Sequence, residues 1–198
     1  MIRFIAALML WALAWPAAAD VVVTFYGKDG DLRLNRFVSP HAYVVLEGRL
    51  DSGEPVLRQV SFGAAGGGGV QALMRSGPGT LTDYTGSQPP DGKAYLSIRI
   101  SDAVFYDLTK RMDWWATPAG NLYNVYDRNC VGFVADVAQR LGLRTPRADT
   151  WSPNGFLESM VAMNPPGSLP GLLPGPVPFQ GIGADPVAPA VSSTAPTM

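Results

Sequence analysis

The sequence predicts an α+β fold in which an antiparallel sheet packs against helices that come later in the chain. Segments of strand-like composition lie between residues 21 and 100, and segments with helical spacing follow between residues 101 and 163. The two kinds of segment do not alternate, which argues against a parallel α/β sheet. Proline and glycine then accumulate from residue 164, which marks the end of the predicted domain.

The first 19 residues have the pattern of a secretory signal peptide. Arg3 is followed by an apolar run from Phe4 to Trp15, and Pro16 and three alanines come next, which form an A-x-A cleavage signal. The run is short for a membrane span. We therefore expect a mature chain that begins near Asp20, is periplasmic or secreted, and has no transmembrane span. An uncleaved N-terminal anchor is the alternative.

Composition limits the partners and cofactors of this chain. Its 15 basic and 16 acidic residues nearly balance and form no basic cluster, which argues against nucleic acid and anionic membrane surfaces as partners. One cysteine and one histidine cannot assemble a zinc site of the usual Cys/His type. We expect no metal and no cofactor.

Four segments of the first half have strand character because they are rich in β-branched and aromatic residues or alternate apolar and polar residues. They are residues 21–27, 41–48, 56–63 and 94–100, and the turn sequence DSGEP predicts that the middle two form a hairpin. The glycine-rich stretch from 64 to 92 lacks the Gly-Lys-Ser/Thr of a phosphate loop, so we expect a flexible loop.

Helical spacing predicts three helices in the second half. The first runs from about Asp102 to Trp115 behind a Ser101 cap, the second begins at or beside Cys130 and ends at Gly142, and the third covers residues 153–163. The predicted apolar faces are Val104, Leu108, Met112 and Trp115 on the first helix, and Val134, Val137, Ala138 and Leu141 on the second. Residues 164–198 are predicted to be a disordered tail.

The single cysteine has the placement of a nucleophile. A cysteine in the first turn of a helix lies where unpaired N–H groups and the helix dipole stabilise a thiolate, and the same groups can bind an oxyanion. His41 is the one histidine available as a base, at the start of a buried strand. The alternative is that Cys130 is a core residue and His41 an ordinary strand-end residue.

Two motifs carry a resemblance to a known group. The segment "RNCVGFVADVAQRLGL" and the strand "PHAYVVLEG" resemble the cysteine helix and histidine strand of circularly permuted papain-like proteins, the NlpC/P60-related group that includes the lecithin:retinol acyltransferase-like families. As in that group, the histidine precedes the cysteine in sequence. The resemblance covers residues 37–160. It implies a permuted papain-like, NlpC/P60-like fold, with Cys130 as nucleophile and His41 as base.

The resemblance also implies a third polar residue, on the strand after the histidine, that orients the imidazole. Gln59 and Ser61 share a face of that strand, and Gln59 is preferred because its amide oxygen accepts an N–H. Tyr126 and Asn129 precede Cys130, where either residue is a candidate oxyanion donor, and Asn129 is equally a candidate helix N-cap.

The resulting expectation is a periplasmic or secreted cysteine hydrolase that cleaves an amide or ester bond through a thioester. Cell-wall peptides are the first substrate expectation and lipid acyl groups the second, both by analogy with the family. A papain-like envelope-binding module without activity is the main alternative. A third reading, ranked last, uses Cys130 for an intermolecular disulfide.

Overall fold

A computed structural model describes residues 20–33, 36–66, 76–84, 91–150 and 152–181. Within these residues the chain forms eight strands and three helices. The strands are β1 (Val21–Lys28), β2 (Asp31–Arg33), β3 (Arg36–Val38), β4 (His41–Arg49), β5 (Pro55–Ala64), β6 (Gly77–Asp83), β7 (Lys93–Ile100) and β8 (Leu122–Tyr123). The helices are α1 (Asp102–Trp114), α2 (Cys130–Arg140) and α3 (Pro153–Met163).

Six of these strands form one antiparallel sheet with the order β7-β1-β4-β5-β6-β8, and β2 and β3 form a separate two-stranded hairpin. The α+β class and the hairpin of β4 and β5 are as the sequence predicts. The α+β class alone does not distinguish a permuted papain-like fold from other arrangements of sheet and helices, so that finer assignment stays a prediction.

The two faces of the sheet are covered by different parts of the chain. All three helices pack on one face, the helix face, where alternate residues such as Phe25, Val44 and Phe62 enter the main core. The opposite face carries a smaller cluster of Tyr26, Tyr43 and Val45. Because side chains alternate along a strand, successive residues of β4 belong to different faces, and this decides where the candidate site residues lie.

The buried faces of the helices agree with the predicted apolar faces, except at one position. On α1, Phe105, Leu108 and Met112 are buried, and Trp115 follows in the core, but Val104 is 37% exposed. Leu108, Met112 and Trp115 are thus buried as predicted, and only Val104 is wrong: Phe105, three residues before Leu108, takes its place on the buried face. On α2, Val134, Val137 and Ala138 are buried as predicted, and Leu141 is partly buried just beyond the helix end.

Strand β6 was not predicted, since its segment was expected to be a flexible loop. It pairs with β5 from Val60 to Ala64, and the short β8 extends the sheet beyond it. Glycine is required at position 79 because an added Cβ would lie 2.2 Å from the Phe62 ring. The free edge of β5 and this close approach favour a strand where local composition predicted none.

Residues 164–181, the strap, run from the end of α3 past the outer edge of β7 and then across the face of the sheet opposite the helices. Leu172 bridges Ile98 at the outer edge of β7, and the amide of Phe179 donates to the Tyr26 hydroxyl at 2.9 Å. Phe179 also packs on the cluster of Tyr26, Tyr43 and Val45. The composition had assigned these residues to a disordered tail. They are ordered because they cover apolar side chains and a strand edge that would otherwise face water.

Several expectations fall on residues outside the described part of the chain. The predicted signal peptide, residues 1–19, lies outside it, as do residues 182–198 of the predicted tail. Asp20 is described, and its backbone N–H donates to the carbonyl of Arg49 at 3.0 Å. Among the described helices, none is both long and apolar enough to cross a membrane.

Candidate functional site

Cys130 is the first residue of α2, and Asn129 fixes the helix to begin there. Asn129 has extended backbone, and its side-chain oxygen accepts from the Gly132 amide at 2.9 Å, which is an N-cap bond. Its side-chain nitrogen donates to the carbonyl of Val125 at 2.6 Å. Both ends of this buried amide are therefore used for structure, which supports the N-cap alternative over an oxyanion donor.

The loop before Cys130 is held by Arg128. Its backbone forms a two-way bridge with Asn124, and its guanidinium donates to the carbonyls of Gly120 and Leu122. The same guanidinium lies 5.0 Å from the ring centre of Trp115, within the range of a cation–π contact. These contacts fix the loop that leads into α2, and none of them involves the side chain of Cys130.

The sulfur of Cys130 is surrounded by backbone N–H groups. The backbone amides of Ala42, Val131 and Cys130 itself each lower the pKa of the sulfur and so favour the thiolate. Burial opposes them and is the larger effect, so the pKa of Cys130 is raised above its usual value. The side chain packs against the main core yet keeps part of its surface exposed. At neutral pH the resting group is therefore a thiol rather than a thiolate.

His41 is the first residue of β4 and lies opposite Lys28 of β1. Its ring centre is 6.3 Å from that of Tyr43. The side chain is partly buried, and its pKa is lowered from 6.5 to about 4: loss of solvent is the largest cause, the charge of Asp91 opposes it, and that of Lys28 adds to it. The imidazole is consequently neutral at neutral pH and is able to accept a proton.

Cys130 and His41 lie near the same corner of the sheet. In the part of the chain that the structure describes, there is no hydrogen bond between them. One of the amides that lower the pKa of the sulfur belongs to Ala42, the residue after His41. Alternation along β4 directs Ala42 towards the helix face and His41 towards the strap face. The thiol and the imidazole are thus one peptide apart along β4, on opposite sides of it.

The structure does not bring Gln59 next to His41. Gln59 pairs with Val45, four residues further along β4, which is about 13 Å at roughly 3.3 Å per residue. Ser61 is closer to His41 than Gln59 is, because it lies two residues further along β5 towards the end of the sheet that holds His41. Its side chain is buried. Both side chains share the face of Tyr43 and Val45, away from α2.

Tyr126 lies in the loop before Cys130, and its side chain is 61% exposed. Its backbone N–H donates to the side-chain oxygen of Asn124 at 2.9 Å. The exposed ring lies outside the buried environment of the sulfur, so the geometry gives no support to Tyr126 as an oxyanion donor.

Lys28, Tyr43 and Asp91 surround His41, and the sequence prediction missed all three. Lys28 forms an ion pair with Asp91, and the charge of Asp91 acts on both His41 and Tyr43. Pairing the predicted first two strands as an antiparallel pair would have placed Lys28 beside His41. No sequence signal indicates Asp91, because it enters the site through the packing of β7 against β1.

A surface depression of about 600 Å³ lies between α1 and α2, away from Cys130. Four of its five charged side chains form ion pairs with each other: Arg111 donates to Asp136 at 2.8 and 2.9 Å, and Arg140 binds Asp107. These pairs tie the two helices together, so we treat the depression as structural. Among the described residues, no group of three or more His, Cys, Asp or Glu side chains is arranged to hold a metal ion.

Comparison with known proteins does not extend this picture. No protein-family model matches the chain, and neither the curated proteins nor the solved structures contain a significant match. The resemblance to permuted papain-like proteins therefore stays a prediction that rests on the two motifs.

Proposed function

We propose that this chain is a periplasmic or secreted cysteine hydrolase that cleaves an amide or ester bond, with Cys130 as nucleophile and His41 as base. One observation carries the proposal. The backbone N–H groups of Ala42, Val131 and Cys130 all favour negative charge on the sulfur at the start of α2 by lowering its pKa, and Ala42 is the residue that follows His41. Such a cradle stabilises negative charge on sulfur and on an oxyanion formed beside it.

The resting charges define the first step. Because burial raises the pKa of Cys130 and lowers that of His41, the resting pair is a neutral thiol and a neutral imidazole. Proton transfer must therefore accompany attack: the S–H proton moves to an imidazole nitrogen as the sulfur bonds to the substrate carbonyl carbon. This step requires the His41 ring, which lies on the strap face at the start of β4, to turn towards the side on which the sulfur lies.

The remaining steps conserve the same proton. The imidazolium returns it to the departing amine or alcohol as the carbon–heteroatom bond breaks, which leaves a thioester on Cys130. Water then attacks this thioester with His41 again as base, which releases the acid and restores the thiol. Transfer to another acceptor in place of water would make the protein an acyltransferase.

The proposed substrate class rests on the resemblance and on the proposed export. Cell-wall peptide amides come first, and lipid acyl groups second, by family analogy alone. No side chain described around Cys130 selects between them.

A catalytically inactive envelope-binding module is the second candidate, and a specific observation favours it. Cys130 and His41 share no hydrogen bond in the described structure, and neither is in the charged form of an activated pair. A protein that only binds has no need of proton transfer between these two groups.

Trapping of the thioester separates the two candidates. The mature protein is incubated with p-nitrophenyl acetate, and its intact mass is followed for an acetyl group on Cys130. The hydrolase account predicts acetylation with p-nitrophenolate release in the wild type, and strong loss of both in Cys130→Ala and His41→Ala. Equal labelling of wild type and His41→Ala would favour the binding module.

A further inference from the structure

A charged pair lies beside His41 at the end of the sheet where β1 finishes and β4 begins. Lys28, the last residue of β1, is opposite His41 in the antiparallel register. Its ammonium group pairs with the carboxylate of Asp91, which lies just before β7 on the other side of β1. The pair therefore spans the end of β1 and brings a carboxylate from β7 towards the base on β4.

Packing at Gly92 holds Asp91 at this corner independently of the ion pair. An added Cβ at Gly92 would lie 2.7 Å from the carbonyl oxygen of Gly27 and 3.0 Å from the Tyr43 hydroxyl oxygen. The backbone next to Asp91 thus touches both β1 and the side chain two residues after His41. The Tyr43 hydroxyl itself is buried, and the backbone of Gly92 lowers its pKa against the larger effect of burial.

Electrostatics give these neighbours opposite effects on His41. The described titratable groups around it are Lys28 from β1, Asp91 from the segment before β7 and Tyr43 from β4 itself, whereas Cys130 of α2 lies on the opposite side of β4. Asp91 is the carboxylate among them. Its charge favours protonated His41, whereas burial and Lys28 disfavour it.

We infer that Asp91 is a positioning residue for His41: its carboxylate, held by Lys28, stabilises the imidazolium that forms when His41 takes the Cys130 proton. This inference rests on the proposed function and deepens it. The carboxylate comes from the β7 side of the sheet, and not from β5, where Gln59 was expected to orient the ring. In the reaction Asp91 neither gains nor loses a proton.

The chain offers two unambiguous reporters for a test, since His41 is its one histidine and Cys130 its one cysteine. The variants are Asp91→Asn, Lys28→Met and, as a matched control, Asp107→Asn, which removes a carboxylate from an exposed ion pair with Arg140. Imidazole NMR gives the pKa of His41, and alkylation by iodoacetamide gives the reactivity of Cys130 at neutral pH.

We expect Asp91→Asn to lower the pKa of His41 and Lys28→Met to raise it, with Asp107→Asn unchanged. Alkylation that depends on His41 should slow roughly two- to fivefold in Asp91→Asn, the range for a partly solvated charge pair. Higher salt should shrink this difference.

Two failures have different meanings. If wild type and His41→Ala are alkylated alike, the proposed function fails before Asp91 is tested. If alkylation depends on His41 but Asp91→Asn matches the Asp107→Asn control in both readouts, the role assigned to Asp91 is overturned and the proposed function stands. Circular dichroism of each variant excludes misfolding as the cause.

Discussion

The backbone N–H of Ala42, the second residue of β4, favours the thiolate of Cys130, the first residue of α2, by lowering the pKa of its sulfur. β4 lies inside the sheet, between β1 and β5. Because β5 begins to pair with β4 only at Val44, the β5 side of Ala42 is not paired with that strand. The proposed nucleophile therefore lies beside the end of β4 that does not pair with β5 in the hairpin.

The N-cap of α2 should matter for both stability and thiol reactivity. We expect Asn129→Ala to lower the free energy of unfolding by about 1 to 3 kcal/mol, because it removes the cap and a second buried hydrogen bond. It should also slow Cys130 alkylation, since the first turn loosens. Urea unfolding and iodoacetamide rates measure the two effects.

Ser101→Ala is the matched control for this change. Ser101 occupies the N-cap position of α1 but makes no side-chain cap bond, so its loss should change stability by less than about 0.5 kcal/mol. Equal destabilisation by the two substitutions would contradict the structural role given to Asn129.

The buried imidazole should make the protein sensitive to mild acid. Burial lowers the pKa of His41 from 6.5 to about 4, so the unfolded chain binds this proton more tightly than the folded one. The free energy of unfolding should then fall as the pH drops from about 6.5 to about 4, by up to about 3 kcal/mol at roughly 1.4 kcal/mol per pKa unit. Above that window the contribution is complete and constant.

His41→Gln isolates this contribution because groups shared by both proteins cancel in the difference. Urea unfolding at several pH values should show a shallower acid loss in His41→Gln than in the wild type. Parallel curves for the two proteins would mean that the imidazole is not desolvated in the folded state.

A pair of strap glycines provides a test of how the strap is attached. Gly171 has a φ of +78°, and an added Cβ would lie 2.4 Å from the carbonyl oxygen of Arg99. We expect Gly171→Ala to cost roughly 1 to 3 kcal/mol through backbone strain and the lost contact with β7. Faster hydrogen exchange at the amides of Arg99 and Leu173 should accompany it, since both bond across this junction.

Gly175→Ala is the control within the same strap. Nothing lies within 4 Å of an added Cβ there, so its stability should stay within about 0.5 kcal/mol of the wild type. A strap that tolerates both substitutions equally would not be packed as described.

What the sequence predicts well is what local pattern determines. Strong alternation and helical spacing gave β1, β4, β5, β7 and the three helices, and α3 matches its predicted bounds of 153–163. What it missed depends on tertiary contacts. β6 exists because β5 has a free edge and glycine lets Phe62 approach, and the strap is ordered because Tyr26 and Tyr43 need a cover.

The candidate site divides in the same way. Asn129 as N-cap and Cys130 as first helical residue follow from local sequence. The neighbours of His41 follow from register and sheet order, which bring Lys28 and Asp91 to it and leave Gln59 too far along β5. A sequence pattern identifies the reactive residues of a site more readily than the neighbours that shift their pKa values.

The measurement that tests the central claim most directly is the pH dependence of Cys130 alkylation in wild type and His41→Ala, between about pH 5 and pH 10. A thiol without a base loses rate about tenfold per unit below its pKa. We predict that neutral His41 holds the wild-type rate on a plateau through the acidic half of this range and that His41→Ala loses the plateau. Identical profiles for the two proteins, both falling tenfold per unit, would contradict the account.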